Sequence, residues 1–301
     1  MSVDCVTADV SGLSSVGCGK VLKKAYFPSN IDEILQICEK TAGDEIVFLG
    51  SVSNTLVLDE YGGAAVFTSG LKGVSVWDNQ MTVCAGESLS KLSETALSLS
   101  YGGLENFYGI PGTIGGAVSG NSGCFGKDIG ELIRGVTVFN FETGETEELD
   151  REEIAFSYRK CNLKKNTDFI VSVTFDLYKE DRHEISEKMA FVRRNRALKQ
   201  PKGRSLGSYF KQYNGVSAGY YIEKAGLKGV KRNGVRVSEK HANFLINESG
   251  SAGDYYDMGA FVAREVYEKL GIKLEREVIV VGEENRKRNR CGRAVCAEND
   301  R

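Results

Sequence analysis

Histidine is nearly missing from this chain. His183 and His241 are the only two in 301 residues, and they lie far apart, which argues against a zinc site. No metal site is expected. Proline is scarce too: Pro28, Pro111 and Pro201 are the only three, and each is read as the mark of a specific turn. The eight cysteines include no CxxC pair and are scattered, so they read as reduced thiols in the cytoplasm. No apolar run is long enough to cross a membrane. The opening residues MSVDCVTADVSG lack the basic start and apolar block of a signal peptide. A net charge of −2 supplies no electrostatic reason to expect nucleic acid. What remains is an enzyme-sized soluble chain, long enough for two domains.

Glycine, by contrast, is concentrated. In Tyr101–Gly130 it recurs every few residues, with Ile110, Ile114, Ala117 and Val118 between. Such a run is buried, not a linker. It reads either as a tight corner in an α/β core or as a cradle for a phosphate or flat ring, since glycine permits close approach. Upstream, Asn30 and the acids after it start a helix to about Thr41, and Glu45–Leu49 is a strand. Gly50-Ser51-Val52-Ser53-Asn54 is a small-residue turn before the strand Thr55–Asp59. No GxGxxG accompanies it, so it is not a Rossmann fingerprint. Further strands are read at 64–68, 82–85, 135–141, 146–149 and 169–177, with Glu142-Thr143-Gly144 as a hairpin turn. Helices are read at 88–100, 184–198, 217–225 and 254–270, and a last strand at 274–282. Residues 1–24 are weakly patterned and expected to dock on the edge of the fold. The charged tail, 285–301, is read as solvated and frayed.

Five stretches in this order carry a resemblance: Gly50–Asp59, Gly103–Gly130, Phe156–Arg159, Gly207–Lys211 with Ala218–Gly229, and Val237–Asn247 with Leu274–Gly282. Together they resemble the UDP-N-acetylenolpyruvoylglucosamine reductase (MurB) family, in its shorter type II form. The resemblance covers roughly residues 25–283. It implies an α+β architecture: an FAD-binding fold of the vanillyl-alcohol-oxidase (PCMH) type over residues 1–180, in two lobes split near 85, then a smaller α/β substrate domain at 181–284. It implies FAD as cofactor, NADPH as hydride donor, a UDP-linked enolpyruvyl sugar as substrate and a role in peptidoglycan precursor synthesis. A cytoplasmic monomer is expected, with no nucleic-acid or membrane partner.

The family's chemistry reduces a vinyl ether beside a carboxylate, which builds negative charge on that carboxylate and requires a proton. Arg159, in Phe156-Ser157-Tyr158-Arg159, matches the arginine that grips it. Glu277 matches the catalytic glutamate and Ser208 the proton donor. Glu275 competes with Glu277, which directly precedes the apolar run to Gly282. Tyr158, Lys211 and Gln212 match substrate contacts, Lys211 as a point charge for the diphosphate. For FAD, the resemblance assigns the turn Gly50, Ser51, Val52, Ser53 and Asn54, then Ile110, Pro111, Gly112, Thr113, Gly115, Gly116, Asn121 and Gly123, with Arg196 near the flavin. On residue type alone, Arg159 and Glu277 read as surface charges and Ser208 as a turn serine.

Three departures stand out. The family's turn is richer in glycine, and Val52 puts a β-branched side chain where positive φ is needed. Ser15-Val16-Gly17-Cys18-Gly19 stands where an arginine and two adjacent glycines are common. Phe210-Lys211-Gln212-Tyr213 replaces the usual lysine-asparagine-proline. Two other readings therefore stay open: another FAD oxidoreductase on the same scaffold, and a non-catalytic relative that lost flavin binding through Val52.

Overall fold

A computed structural model describes residues 3–284; the charged tail lies outside them. The chain folds into two compact units, each assembled from separate stretches. The first takes the chain up to Val6, Lys24–Ser51 and Gly63–Leu198; the second takes Thr7–Lys23, Val52–Gly62 and the chain from Lys199 on. A linear split at residue 180 is thus not how the chain divides. The helix Arg182–Lys199 groups with the first unit, where Arg196 donates to the carbonyl of Asn106 at 3.1 Å. The weakly patterned N-terminal stretch and the strand after the Gly50 turn group with the second, because Val16, Leu56 and Leu58 bury themselves in its core.

In the first unit, Val21–Tyr26, Ala64–Phe67 and Ile46–Leu49 run parallel, in that order across the sheet. Parallel strands need a crossover, and the helix Ile31–Lys40 carries the chain from Val21–Tyr26 to Ile46–Leu49, the two strands that flank Ala64–Phe67. The sequence sets where that helix starts: the Asn30 side chain accepts the Glu33 amide at 2.9 Å, and Glu33 returns a bond to the Ser29 amide at 2.7 Å. Ile34 and Ile37 are fully buried along one face. A second, antiparallel sheet orders Glu145–Asp150, Ile133–Asn140, Asp168–Asp176, Gln80–Cys84 and Val74–Trp77. Phe139, Phe169 and Phe175 point into its core, where Phe48 meets Phe169 edge-on at 5.0 Å. The helices Leu89–Ser98 and Ile114–Ser119 add Leu89, Leu92, Ile114 and Val118 to the same core.

The second unit surrounds the long helix Ala252–Leu270. A capping box of Ser251 and Asp254 opens it, and Gly271 in the left-handed region ends it at φ +69°. The helix and the segment carrying Tyr209 approach closely at Gly259, where an added Cβ would lie 2.2 Å from the Tyr209 ring. Tyr209 and Tyr255 are almost wholly buried there, which pushes both phenols above their ordinary range by desolvation. Thr55–Val57 pairs in parallel with Ile279–Val281, so the segment after the Gly50 turn is tied to the last strand.

Candidate active site

The glycine-dense stretch holds a short helix that glycine composition conceals. Thr113 caps it, its hydroxyl oxygen accepting the Gly116 amide at 3.4 Å. The amides of Ile114 and Gly115 donate to the carbonyls of Glu87 and Ala85 at 2.8 and 2.9 Å. The Thr113 hydroxyl and the amides of Ile114 and Gly115 are therefore committed to internal bonds. Gly50 belongs to the same tight contact: a Cβ there would lie 2.4 Å from the Thr113 hydroxyl oxygen. Pro111 and Gly116 are exposed, while Ile110 and Gly112 are half-buried.

The turn Gly50–Asn54 has the geometry its sequence makes costly. Val52 sits at φ +52° and is buried, a conformation that a β-branched residue strongly resists. Its carbonyl accepts from the Ser14 hydroxyl at 3.1 Å. Ser51 is exposed and Ser53 half-buried. Asn54 reaches the last strand: its carbonyl accepts the Ile279 amide at 3.0 Å, and its Nδ2 donates to the Glu277 carbonyl at 3.4 Å.

Arg159 occupies a two-residue connection between the short strands Phe156–Ser157 and Lys160–Cys161, whose register pairs Ser157 with Lys160. Its backbone lies at φ +56°, which is unfavourable for any residue carrying a Cβ. Its guanidinium stacks 4.9 Å from the exposed Tyr158 ring. Nη1 donates to the Asn121 carbonyl and Nη2 to the Gly123 carbonyl, each at 3.4 Å. Asp128 Oδ1 lies 3.8 Å from Nη1.

Asn121 and Gly123, which the resemblance assigned to FAD, thus converge on Arg159. The buried Asn121 carboxamide donates to the Ser157 carbonyl at 2.9 Å and accepts the Gly130 amide at 3.1 Å. It fastens the glycine-dense stretch to the hairpin that carries Arg159.

Arg196 lies along the same glycine-dense stretch. One guanidinium nitrogen bonds Asn106, and Cζ lies 5.7 Å from the Phe125 ring. Its Nε is buried and has no hydrogen-bond partner among the described residues. A buried unsatisfied donor on an arginine is costly unless something else meets it.

In the second unit, Ser208, Lys211 and Glu277 share one irregular ladder. Ser208 bridges Phe244 and Phe210 bridges Arg276. The Tyr209 carbonyl accepts the Glu277 amide at 2.9 Å, and the Lys211 amide donates to the Glu275 carbonyl at 2.8 Å. Asn243 stiffens the ladder with its side chain, giving a bond to the Phe210 carbonyl at 2.8 Å and accepting the Phe210 amide at 2.9 Å. The Ser208 hydroxyl bonds to no other described residue. Glu275 and Glu277 separate cleanly: the Glu275 side chain is 72% exposed and ion-paired to Lys211, whereas Glu277 is half-buried. Gln212 is exposed. Nearby, His241 accepts the Asn243 amide at 3.3 Å through Nδ1, and burial holds its imidazole below the ordinary histidine range.

Sequence reasoning missed Asp128 and Asn243. Asp128 is placed by a hairpin whose turn residues, Phe125 and Gly126, both have positive φ; phenylalanine is no turn signal. Asn243 acts as a side-chain strand partner, which no spacing rule identifies. Among the described residues no histidine, cysteine and carboxylate group forms a metal-binding cluster.

A model of the UDP-N-acetylenolpyruvoylglucosamine reductase C-terminal domain matches residues 199–281, and an FAD-binding-domain model matches 23–150. The chain is 34% identical over 264 residues to the UDP-N-acetylenolpyruvoylglucosamine reductase of Lactobacillus acidophilus, covering 86% of this chain and 88% of that protein. It is 40% identical to the same enzyme of Thermosipho melanesiensis over 266 residues, 86% and 89% of the two chains. Among solved structures, the reductase (MurB) from Thermus caldophilus superposes with a TM-score of 0.80 at 30% identity, over 92% of this chain and 99% of that one.

Proposed function

The chain belongs to the UDP-N-acetylenolpyruvoylglucosamine reductase family, and from that premise we propose how its residues carry out the family's reduction of a UDP-linked enolpyruvyl sugar to UDP-N-acetylmuramate. It is a flavin-dependent oxidoreductase of peptidoglycan precursor synthesis, with FAD as cofactor and NADPH as hydride donor. Two features support FAD on the first unit. Arg196 keeps a buried Nε donor that no described residue meets, and Pro111 and Gly116 leave a small-residue surface exposed. FAD, when bound, supplies hydride transfer from NADPH to the vinyl carbon C3.

Attack at C3 drives electron density toward C2 and its carboxylate. Arg159 holds that carboxylate and stabilises the charge as it develops, acting as a planar two-pronged donor. Glu277 acts as the glutamate that polarises the substrate carboxylate. Ser208 donates the proton to C2. Its hydroxyl makes no competing bond to a described residue, which suits a donor whose partner is the substrate. Lys211, Tyr158 and Gln212 hold the UDP portion. The observation that carries this reading is Arg159 itself: a large cation kept in a left-handed backbone conformation, where glycine or asparagine would be easier, and braced by two carbonyls. Strain retained in this way points to work done by the side chain.

By the resemblance to its family we propose a monomer that works in the cytoplasm. None of its described helices is long and apolar enough to cross a membrane. The test is NADPH oxidation by purified protein with FAD added, with and without the enolpyruvyl substrate. Substrate-dependent oxidation is expected. FAD binding without substrate dependence would assign a different flavin reaction, and failure to bind FAD would mark a non-catalytic relative.

A further inference from the structure

We propose that Asp128 is a positioning residue for Arg159, its carboxylate set beside the guanidinium from a hairpin in which glycine at 123 leaves it room. The inference rests on Arg159 as the holder of the substrate carboxylate. Gly123–Cys124 and Lys127–Asp128 pair so that Asp128 stands directly opposite Gly123. Phe125 and Gly126 close the turn at φ +52° and +79°, the mirror-image geometry that matches strand twist in two-residue hairpins. The same stretch then bends away, with the Asp128 amide tied to Glu131 Oε1 at 2.9 Å.

The close fit lies on the Gly123 side of this pair. A Cβ at Gly123 would lie 1.7 Å from Asp128 Oδ1 and 3.2 Å from Arg159 Nη1. Any side chain there would displace the carboxylate and press on the cation. With glycine present, Arg159 faces two carbonyls at 3.4 Å and one carboxylate oxygen at 3.8 Å. Two carbonyls fix where the nitrogens lie; a carboxylate beside Nη1 also fixes the plane of the guanidinium. Orientation matters because a bidentate grip on a carboxylate requires coplanarity, and a misplacement of about 1 Å costs up to about a hundred-fold in rate.

The same carboxylate has an opposing effect. Its negative charge weakens the attraction of Arg159 for an anionic substrate. Removing the charge therefore separates two quantities that a merely structural role would move together. Asp128→Asn should slow flavin reoxidation by the enolpyruvyl substrate about ten-fold, while substrate affinity stays unchanged or tightens. Flavin reduction by NADPH should be untouched. Gly123→Ala, which forces Asp128 aside, should slow reoxidation similarly, and the double variant should be no slower than either single one, because both remove one contact.

The experiment is stopped-flow measurement of both half-reactions in the FAD-loaded protein for Asp128→Asn, Gly123→Ala, Arg159→Ala and their pairs. The result expected is a slow Arg159→Ala, a ten-fold slower Asp128→Asn, and no further loss when the two are combined. A slow Arg159→Ala beside an Asp128→Asn of wild-type speed would overturn the role of Asp128 alone. So would additive losses, or substrate affinity falling in step with rate. An Arg159→Ala of wild-type speed would overturn the reading of Arg159 and this inference with it.

Discussion

Arg159→Gly should make the protein more stable than Arg159→Ala and yet leave it equally inactive. Both changes remove the same guanidinium, so the bonds to Asn121 and Gly123, the Asp128 contact and the stacking on Tyr158 cancel in the comparison. Only the backbone differs. At φ +56°, alanine keeps a strain of about 1–2 kcal/mol that glycine relieves. Glycine returns about 0.5–1 kcal/mol through the extra freedom of its unfolded chain. The difference is about 0.5–1 kcal/mol in favour of glycine, or roughly 1–4 °C in melting temperature for a unit of this size. Scanning calorimetry of both variants at one saturating FAD concentration makes the comparison, since bound ligand raises apparent stability. Substrate-driven reoxidation should fall at least about a hundred-fold in both, the usual loss for a group that meets developing charge. An alanine variant as stable as the glycine one would refute the strain. An active glycine variant would refute the role of the side chain.

Ser208→Ala should leave flavin reduction by NADPH intact and slow substrate-driven reoxidation by about a hundred-fold; equal loss in both half-reactions would remove Ser208 as proton donor. Val52→Gly relieves a left-handed β-branched residue worth about 1–2 kcal/mol but loses a buried side chain worth about 1.5–3 kcal/mol. Stability should therefore change little or fall, while fluorescence titration shows several-fold tighter FAD binding; unchanged affinity would mean that the strained turn is already the binding conformation. His241 is held below its ordinary 6.5 chiefly by burial, with Lys228 contributing. As pH falls below about 6.5 the unfolded chain takes up a proton that the folded chain refuses, so stability declines, by at most about 1.4 kcal/mol per pH unit. His241→Gln, with a carboxamide oxygen in place of Nδ1, should flatten that decline in urea unfolding between about pH 7.5 and 5.5. Parallel slopes would show that His241 titrates alike in both states.

What the sequence reveals here follows how local each cause is. The helix Ile31–Lys40 was legible because its cap, its acidic first turn and its apolar spacing all lie within a dozen residues. The same holds for the hairpin at Glu142–Gly144, where the Asn140 side chain accepts the next turn amides at 2.8 and 3.2 Å. The helix Ile114–Ser119 was hidden because glycine, a poor helix former, fills two of its first three positions, at Gly115 against a tight contact with Ala85. Division of the chain between units was hidden for a different reason. Val16, Leu56 and Leu58 look like ordinary strand residues, and which core they enter depends on partners some two hundred residues away.

The candidate site shows the same division more sharply. A motif resemblance nominates charged residues for the substrate, because their types are fixed by the chemistry. It cannot identify what aims them. The backbone angle at Arg159, the Asn121 carboxamide between Ser157 and Gly130, and the Asn243 carboxamide clasping Phe210 are set by polar satisfaction in three dimensions. A buried carboxamide must find partners for both of its ends, and here the partners it finds are the backbones that carry Arg159 and Ser208. Glycine at 123 has a comparable role among the protein's own groups, leaving room for Asp128 to approach Arg159. The two asparagines and one glycine thus supply the placement that the two predicted side chains need before their chemistry can be selective.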